Sequence, residues 1–315
     1  MAHAAMGVKG RAVLDSQQFC GGFLMSDFVQ RFHFSESPVR GELVQLSDSV
    51  GAVLDRHDYP PRIAALLSEA LAASVLLTST LKFEGALILQ VRGNGPLEAL
   101  MVECNHRREL RGIAQLGESW TEACSDLPLS ELVGDAQLVI TIDPDNGQRY
   151  QGIVPFSSES LAACLEHYFE QSEQLPTRLW LAADGENAAG LMLQVLPGHD
   201  APEDADIWPR LCTLTETVKP EEMLELPATE LLYRLYNEEV VELLQADEVI
   251  FRCNCSRERT EQVLISLGEA ELRDIVADQG AIEISCQFCN QEYHFDGIDV
   301  EQMLRGGAGG SQRLH

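Results

Sequence analysis

Four cysteines in the last quarter of the chain have the spacing of metal ligands. Cys253 and Cys255 are one residue apart, Cys286 and Cys289 are two residues apart, and thirty residues separate the two pairs. Two short cysteine pairs can each give two sulfur ligands to one tetrahedral zinc ion, at about 2.3 Å. The alternative is four unrelated core thiols. We interpret the paired spacing as a site for one Zn²⁺ per chain.

The residues around these pairs have patterns of regular structure that would position the sulfurs. The segments SRERTEQVLISLG and EAELRDIVADQG have helical apolar spacing, and both end at glycine. The segment IEISCQFCNQEYHF has the pattern of a hairpin with the second cysteine pair at its turn. Residues 248–305 are therefore predicted to form a small zinc-binding domain, followed by a flexible glycine-rich tail at residues 306–315.

Three arginines beside the first pair form a local basic cluster in an acidic chain: Arg252, Arg257 and Arg259. Four thiolates on one Zn²⁺ carry a formal charge of about −2, which nearby guanidinium groups would offset. Such groups also lower thiol pKa values. An ordinary exposed helix start explains the same residues equally well, so both interpretations stay open.

The remaining cysteines are isolated in sequence and are predicted to be core residues, because cysteine is among the most buried residue types. None lies in a nucleophile motif, and no phosphate-binding loop or His-Glu-x-x-His arrangement occurs. We therefore predict no catalytic residues and no enzymatic activity. These isolated cysteines are Cys20, Cys104, Cys124, Cys164 and Cys212.

Composition excludes some classes of partner. The chain has 315 residues, 45% of them apolar, and a formal net charge of −28. Nucleic acids and anionic membranes repel such a surface, so neither is expected as a partner. No run of 18 uninterrupted apolar residues occurs, and the predicted location is the cytoplasm. Residues 1–25 are expected to be a disordered extension.

The long central part of the chain predicts an α+β domain over residues 26–197. Residues 61–82 are apolar on nearly every face, as in a buried helix. Three hairpins follow, centred on RGNGP, DPDNGQ and DGENA, and a capped helix precedes the last hairpin. Hairpins joined through helices favour antiparallel sheets packed with helices.

Residues 198–247 are predicted to form an acidic, amphipathic helical linker. Between residues 216 and 248 there are ten acids and two bases, yet apolar residues recur at helical spacing. These apolar side chains must lie on another surface in the folded protein. They are Leu211, Leu214, Met223, Leu224, Leu226, Leu231, Leu232 and Leu235.

Several segments together resemble the heat shock protein 33 family, which comprises redox-regulated cytosolic holdase chaperones. The resemblance extends from about Asp27 to about Met303, without departure at the four paired cysteines. The segments are FRCNCSRER, CQFCNQEYHFD, LKFEG, GNGPL, YQGIVPF, SEQLPTRL and LTETVKPEE.

The resemblance implies a protein that is inactive when reduced, monomeric and zinc-bound. Oxidants such as peroxide would release the zinc, unfold the linker and produce a homodimer that holds unfolded or misfolded client proteins without ATP. Four cysteines alone allow three disulfide connectivities. The resemblance implies that sequence neighbours pair, Cys253 with Cys255 and Cys286 with Cys289.

Two other functions compete with this interpretation. A thiol-disulfide oxidoreductase could use the Cys286 and Cys289 pair, but it would need a thioredoxin-like βαβ context, and the flanking pattern is a hairpin. A zinc ribbon for nucleic acid is disfavoured by the net charge of −28.

Overall fold

The computed structural model describes residues 12–13, 27–82, 84–156, 159–197, 204 and 206–307. Within the predicted N-terminal extension it describes Ala12–Val13 as a short strand, and Cys20 lies outside the described residues. Of the predicted tail it describes Gly306 and Gly307, which end the last helix. The chain divides into two compact units, residues 1–252 and residues 253–315.

The first unit is built from two sheets, seven described α-helices, a short 3-10 helix (Glu122–Asp126) and a π-helical turn (Phe169–Glu173). The strands are β1 (Ala12–Val13), β2 (Phe28–Phe34), β3 (Val39–Leu46), β4 (Gly85–Arg92), β5 (Leu97–Asn105), β6 (Glu109–Leu116), β7 (Gln137–Pro144), β8 (Tyr150–Pro155), β9 (Thr177–Ala183), β10 (Ala188–Val195), β11 (Val241–Leu243), β12 (Asp247–Glu248) and β13 (Ile250–Phe251). The helices are α1 (Asp48–Leu54), α2 (Pro61–Thr80), α3 (Leu129–Val133), α4 (Leu161–Tyr168), α5 (Ile207–Thr215), α6 (Pro220–Glu225) and α7 (Ala228–Tyr236).

The strand pairing is antiparallel, apart from the short parallel pair of β13 with β6. One sheet has the order β1-β11-β2-β3-β10-β9, and β12 also pairs with β2. The other has the order β13-β6-β5-β4-β7-β8. The predicted α+β class with antiparallel sheets is confirmed, and the three predicted hairpins are β4–β5, β7–β8 and β9–β10.

Helix α2 forms the centre of the larger hydrophobic core. Pro61 stands at its first turn, where a missing N–H costs nothing, and the chain becomes extended at Leu81. The helix contacts strands of both sheets, which explains why its apolar residues are not confined to one face. Among the described residues it is long and apolar enough to cross a membrane, but 83% of its most apolar window is buried inside the fold.

The predicted linker contains three helices, and its C-terminal end is extended rather than helical. Helices α5, α6 and α7 pack their apolar residues into a second core with Phe32, Phe34 and Leu43 of the first sheet, and all eight linker residues predicted to dock belong to this core. After α7 the chain forms β11 and β12 instead of further helix. The pattern Val241-Glu242-Leu243 alternates apolar and charged residues, which suits the edge of a half-buried sheet.

The second unit contains the helices and the hairpin predicted around the cysteine pairs. Its elements are α8 (Arg257–Leu267), α9 (Glu269–Gln279), β14 (Ala281–Ser285), β15 (Glu292–Asp296) and α10 (Gly297–Gly307). The chain leaves α9 through Gly280, whose φ of 83° is a left-handed conformation that glycine adopts without strain. Among the described residues of this unit, the buried core is small and consists of Leu264, Leu272, Ile282, Phe295, Val300 and Met303.

Candidate metal centre

The four paired cysteines converge on one point of the second unit. Their sulfur atoms all lie within 4.8 Å of one another. The Sγ atoms of Cys253 and Cys286 are 3.7 Å apart, and those of Cys255 and Cys289 are 3.4 Å apart. Both of these short contacts join one pair to the other. Proximity in this arrangement therefore does not single out sequence neighbours for disulfide formation.

The first cysteine pair lies in the loop between β13 and α8. The backbone N–H of Cys255 donates to the Cys253 sulfur, which turns both side chains toward the same side. Immediately afterwards Ser256 caps α8, and its hydroxyl accepts from the Arg259 N–H at 3.3 Å. This cap begins the helix directly after the pair and so fixes the direction in which the chain leaves the site.

The second pair forms the turn between β14 and β15, as the hairpin pattern predicted. The Asn290 N–H donates to the Cys286 carbonyl at 2.8 Å, and the Cys286 N–H donates to the Gln291 carbonyl at 2.9 Å. Asn290 has a φ of 56°, a left-handed conformation that Asn tolerates better than most residues. The backbone N–H groups of Phe288 and Cys289 point to the Cys286 sulfur. The pair is thus held on a rigid turn.

The environment shifts the pKa values of Cys253, Cys286 and Cys289 in different directions. Burial opposes ionisation of Cys253, but hydrogen bonds from the Cys255 amide and from the neighbouring thiols outweigh it and lower the pKa of Cys253. Burial raises the pKa of Cys286, against the amides of Cys289 and Phe288. Burial also raises the pKa of Cys289, to about 12. Without a metal ion, Cys253 is therefore favoured over Cys286 and Cys289 for ionisation.

Tyr293 contacts the cysteine cluster and was not among the residues predicted from the sequence. Its hydroxyl donates to the Cys255 sulfur at 3.2 Å, and this hydrogen bond is the main reason why the pKa of Tyr293 is raised. The hydroxyl therefore keeps its proton and remains a donor. The only signal in the sequence is its position on β15, four residues after Cys289.

The three arginines proposed to tune the thiolates make their described contacts with other groups. Arg252 pairs with Glu109 at 2.6 Å, and Arg259 donates to the Asn254 carbonyl at 2.9 Å. Arg257 pairs with Asp299 at 2.8 Å and lies 4.2 Å over the ring of Phe295. Arg257 therefore ties the start of α8 to β15 and α10. Thiolate tuning by these arginines stays a prediction.

The donor set and spacing fit one tetrahedral metal ion. A tetrahedron with metal–sulfur bonds of about 2.3 Å places its sulfur atoms about 3.8 Å apart, close to the observed 3.4 and 3.7 Å. All four cysteines are half-buried. The site can therefore hold a metal ion with four sulfur ligands.

The other described cysteines belong to the first unit. Cys104, Cys124 and Cys164 are buried, as predicted for core residues, whereas Cys212 is half-buried. Burial raises the pKa of Cys104 to about 12 and that of Cys212 to about 11. Such thiols are poor nucleophiles, because the thiolate is the reactive form.

Comparison with known proteins agrees with the fold and the centre. The family model described as Hsp33 protein matches residues 27–296. The 33 kDa chaperonin of Shewanella sp. (strain ANA-3) is 46% identical over 91% of this chain and 98% of its own length. That of Ectopseudomonas mendocina (strain ymp) is 49% identical over 90% of this chain and 96% of its own length.

A solved structure has the same fold. The 33 kDa chaperonin (heat shock protein 33 homolog) of Thermotoga maritima superimposes with a TM-score of 0.76 and 22% identity, covering 90% of this chain and 99% of that one. The family match spans most of this chain, and the curated relatives are matched over nearly their full length. The chain belongs to the Hsp33 family of chaperones.

Proposed function

We propose that this protein is a redox-regulated, ATP-independent holdase that binds unfolding proteins after its four clustered cysteines are oxidised. The observation that carries the proposal is the convergence of four sulfur atoms within 4.8 Å in a unit with a small core. A reaction at these sulfurs changes the stability of the whole unit. The family membership supports the binding of client proteins.

In the reduced state, Cys253, Cys255, Cys286 and Cys289 would hold one Zn²⁺, which when bound cross-links the two cysteine pairs. A structural zinc site contributes on the order of 10 kcal/mol to folding. The net stability of a whole domain is about 5–15 kcal/mol. A core of six buried residues is small, so the cysteines and their ion would supply much of the stability of this unit.

Oxidation removes the ligands. Two thiolates lose two electrons and form one disulfide, while one hydrogen peroxide takes up these electrons with two protons and becomes two waters. The proposed pairs are Cys253 with Cys255 and Cys286 with Cys289, so full oxidation consumes two peroxide molecules. A disulfide sulfur is no longer an anionic ligand, and the unit loses its cross-link.

The linker is the proposed responding element. Its apolar residues cover Phe32, Phe34 and Leu43, and none of its described acidic residues is buried. The linker ends at residue 247, and only the two-residue strands β12 and β13 lie between it and Cys253, so unfolding of the second unit would leave these short pairings alone to hold the C-terminal end of the linker. Released apolar side chains, together with the surface they covered, would hold apolar segments of clients. The acidic groups would keep the open form soluble.

The proposal also covers the oligomeric state of the protein and its location in the cell. The reduced form would be a monomer and the oxidised form a homodimer. A reducing cytoplasm keeps four neighbouring thiols free until an oxidant appears, which is the condition that such a switch requires. No catalytic residue is assigned.

The decisive experiment is suppression of aggregation of a thermally unfolding protein, followed by light scattering. The peroxide-treated protein is expected to suppress aggregation at a near-stoichiometric ratio, and the reduced zinc-loaded protein is not. Cys286→Ser should lose zinc and show activity without oxidant, whereas Cys164→Ala, a buried thiol outside the centre, should behave like the parent. Equal suppression by the reduced parent would contradict the proposal.

The same samples test the oxidoreductase alternative. Cys286 and Cys289 lie in the turn between two antiparallel strands, which differs from a thioredoxin-like βαβ context. Turnover of a model disulfide by catalytic amounts of protein would favour the enzyme. We expect no turnover.

A further inference from the structure

Strand β11 occupies the edge of β2 with a three-residue ladder. Val241 lies opposite Phe34, Glu242 opposite His33, and Leu243 opposite Phe32. Backbone hydrogen bonds continue beyond both ends: the Ser35 N–H donates to the Val240 carbonyl, and the Leu244 N–H donates to the Arg31 carbonyl, each at 2.9 Å. The other edge of β11 pairs with β1.

The side chains of β11 alternate between two environments. Val241 is buried and Leu243 is partly buried in the core that contains Phe32 and Phe34. Glu242 points to the opposite face, where its carboxylate accepts from the Ser35 hydroxyl at 2.6 Å and lies 3.2 Å from His33 Nε2. The edge of β2 therefore accepts an extended segment with the pattern apolar, acidic, apolar.

The charge near this edge differs from that of the whole molecule. Arg31 lies 3.3 Å and Arg108 lies 3.6 Å from the carboxylate of Asp247, which follows β11 in the chain. The chain carries a net charge of −28, yet three basic groups lie near this edge: His33 beside Glu242, and Arg31 and Arg108 beside Asp247. An acidic residue in the incoming segment is favoured by this local charge.

Strand β11 belongs to the predicted linker, and its own ladder is only three residues long. A linker that leaves the sheet takes β11 with it and exposes the backbone groups on one side of β2. An open strand edge is a template for pairing with another extended chain. Main-chain hydrogen bonds do not depend on side chains, so they would bind clients of many different sequences, as a chaperone requires. Contacts with alternate side chains of the client would give a preference for some sequences over others.

We propose that the edge of β2 is a client-binding site, where an extended client segment with an apolar, acidic, apolar pattern adds as an antiparallel strand in place of β11. The inference rests on the proposed function, because β11 must first be released by oxidation. In the reduced protein, β11 is then an internal occupant of the client site.

Hydrogen exchange of alternate amides of β2 tests the proposal with a control in the same strand. Alternate residues of an antiparallel strand direct their N–H groups to opposite neighbours, so His33 and Ser35 face β11, whereas Phe32 and Phe34 face β3. Oxidation should speed exchange at His33 and Ser35 by at least about tenfold and leave Phe32 and Phe34 protected. A bound client should restore protection at His33 and Ser35.

A labelled peptide with the sequence of residues 238–246, EEVVELLQA, is the second probe. It should bind the oxidised protein and not the reduced one. N-methylation at Leu244 removes the N–H that donates to Arg31 and should weaken binding at least about tenfold. N-methylation at Leu243 blocks the opposite edge of the peptide and should leave binding unchanged. Replacing its Glu242 by Lys should weaken binding several-fold.

The outcomes separate this inference from the proposed function when zinc release, linker proteolysis and client aggregation are followed on the same samples. If zinc leaves, the linker is cleaved and the client is held, but His33 and Ser35 still exchange fast, the β2 site is wrong and the proposed function stands. Equal weakening by the two N-methyl groups would also overturn the site. A linker that stays protected after oxidation would also overturn the site, because β11 would not leave β2, whereas failure of the oxidised protein to hold the client would overturn the proposed function.

Discussion

At the scale of single residues, the centre is asymmetric although its four ligands are chemically identical. Cys253 and Cys286 receive hydrogen bonds from backbone amides of their own turns, whereas Cys255 receives one from a side chain, the Tyr293 hydroxyl. Hydrogen bonds to a thiolate withdraw electron density from sulfur, and outer partners of metal ligands tune both affinity and reactivity. Tyr293 is therefore a positioning residue whose effect can be measured apart from the fold.

Tyr293→Phe should make Cys255 more reactive, because its thiolate loses the hydroxyl donor while the ring keeps its packing. The expected increase in the alkylation rate is about threefold. Residue-resolved alkylation of the metal-loaded protein measures this rate, and in the cobalt-substituted protein the sulfur-to-metal charge-transfer band should move to lower energy. Tyr150→Phe, which removes the hydroxyl of a partly exposed tyrosine in the first unit, is the control. An unchanged band and an unchanged Cys255 rate would exclude the role.

A second residue-scale prediction concerns Glu42, a fully buried carboxyl hydrogen-bonded by the Ser79 hydroxyl. Burial raises the pKa of Glu42 to about 7, against the Ser79 bond and the charges of Arg40, Arg31 and Arg108. A raised acid pKa means that the folded protein holds the proton more tightly than the unfolded chain does. The contribution of Glu42 to stability is therefore full below the unfolded pKa of 4.5, falls as the pH rises toward 7 and is constant above that.

Glu42→Gln should remove this dependence. The free energy of unfolding of the variant, relative to the parent, should rise by up to about 3 kcal/mol between pH 4.5 and pH 7. Denaturant unfolding at several pH values measures it. Glu69 also has a pKa raised to about 7 by burial, but its contribution cancels in the difference between parent and variant. Parallel stability curves for parent and variant would contradict the assignment.

At the scale of elements, the linker helices and β11 are held by packing rather than by their own helical stability. Helices α5, α6 and α7 are nine, six and nine residues long, and isolated helices below about 12–15 residues are marginal in water. Leu232, Tyr236 and Leu211 are completely or almost completely buried against the first sheet. The docked state of the linker therefore depends on this one apolar surface, and it is a suitable element for a switch.

Leu232→Ala should loosen the linker without oxidation, because a buried Leu→Ala change costs about 2–5 kcal/mol. Limited proteolysis between Pro209 and Asp247 should be faster than in the reduced parent and approach the rate of the peroxide-treated parent. Val240→Ala is the control, because Val240 lies in the same linker and is 57% exposed. If peroxide does not change cleavage of the parent in this segment, the responding element lies elsewhere.

The order in which the two disulfides form depends on the size of the ring that each disulfide closes. Sulfur distances in the reduced centre do not select sequence neighbours, but a disulfide between Cys253 and Cys255 closes a smaller ring than one between Cys286 and Cys289. The smaller ring must bend its backbone further to reach the required torsion. We predict that Cys286 with Cys289 forms first and that client binding follows the second bond. Mass-spectrometric mapping of partly oxidised, alkylated samples decides it, and a population with only the Cys253–Cys255 bond would contradict this order.

At the scale of the whole molecule, the net charge of −28 sets the conditions for assembly. Two such chains repel each other, and salt screens this repulsion with a Debye length of about 10 Å at 0.1 M. The proposed oxidised dimer should therefore tighten as salt rises from about 0.05 M to about 0.5 M. Light scattering across protein concentrations measures the dissociation constant, with the reduced protein as the monomer control. A dimer in the reduced protein, or one that weakens with salt, would contradict this prediction.

Local patterns in the sequence were sufficient to predict many of the helices and strands of this protein and the position of its cysteine cluster. The paired spacing of the four cysteines predicted their common site. The glycines at helix ends predicted α8 and α9, and the turn residues predicted the three hairpins, because such signals act over a few residues. The apolar spacing of residues 210–245 predicted a docked linker. The alternation of Phe32, His33 and Phe34 was a strand signal that was not recognised.

Only the tertiary structure decided which distant groups meet. The hydrogen bond of Tyr293 to Cys255 joins residues 38 positions apart, and β11 pairs with a strand more than 200 residues earlier. Glu42 looks like any strand carboxylate in sequence and becomes unusual only because α2 places Ser79 over it and excludes water. Burial, strand pairing and hydrogen bonds to sulfur depend on the packing of the whole chain, and no local pattern encodes them.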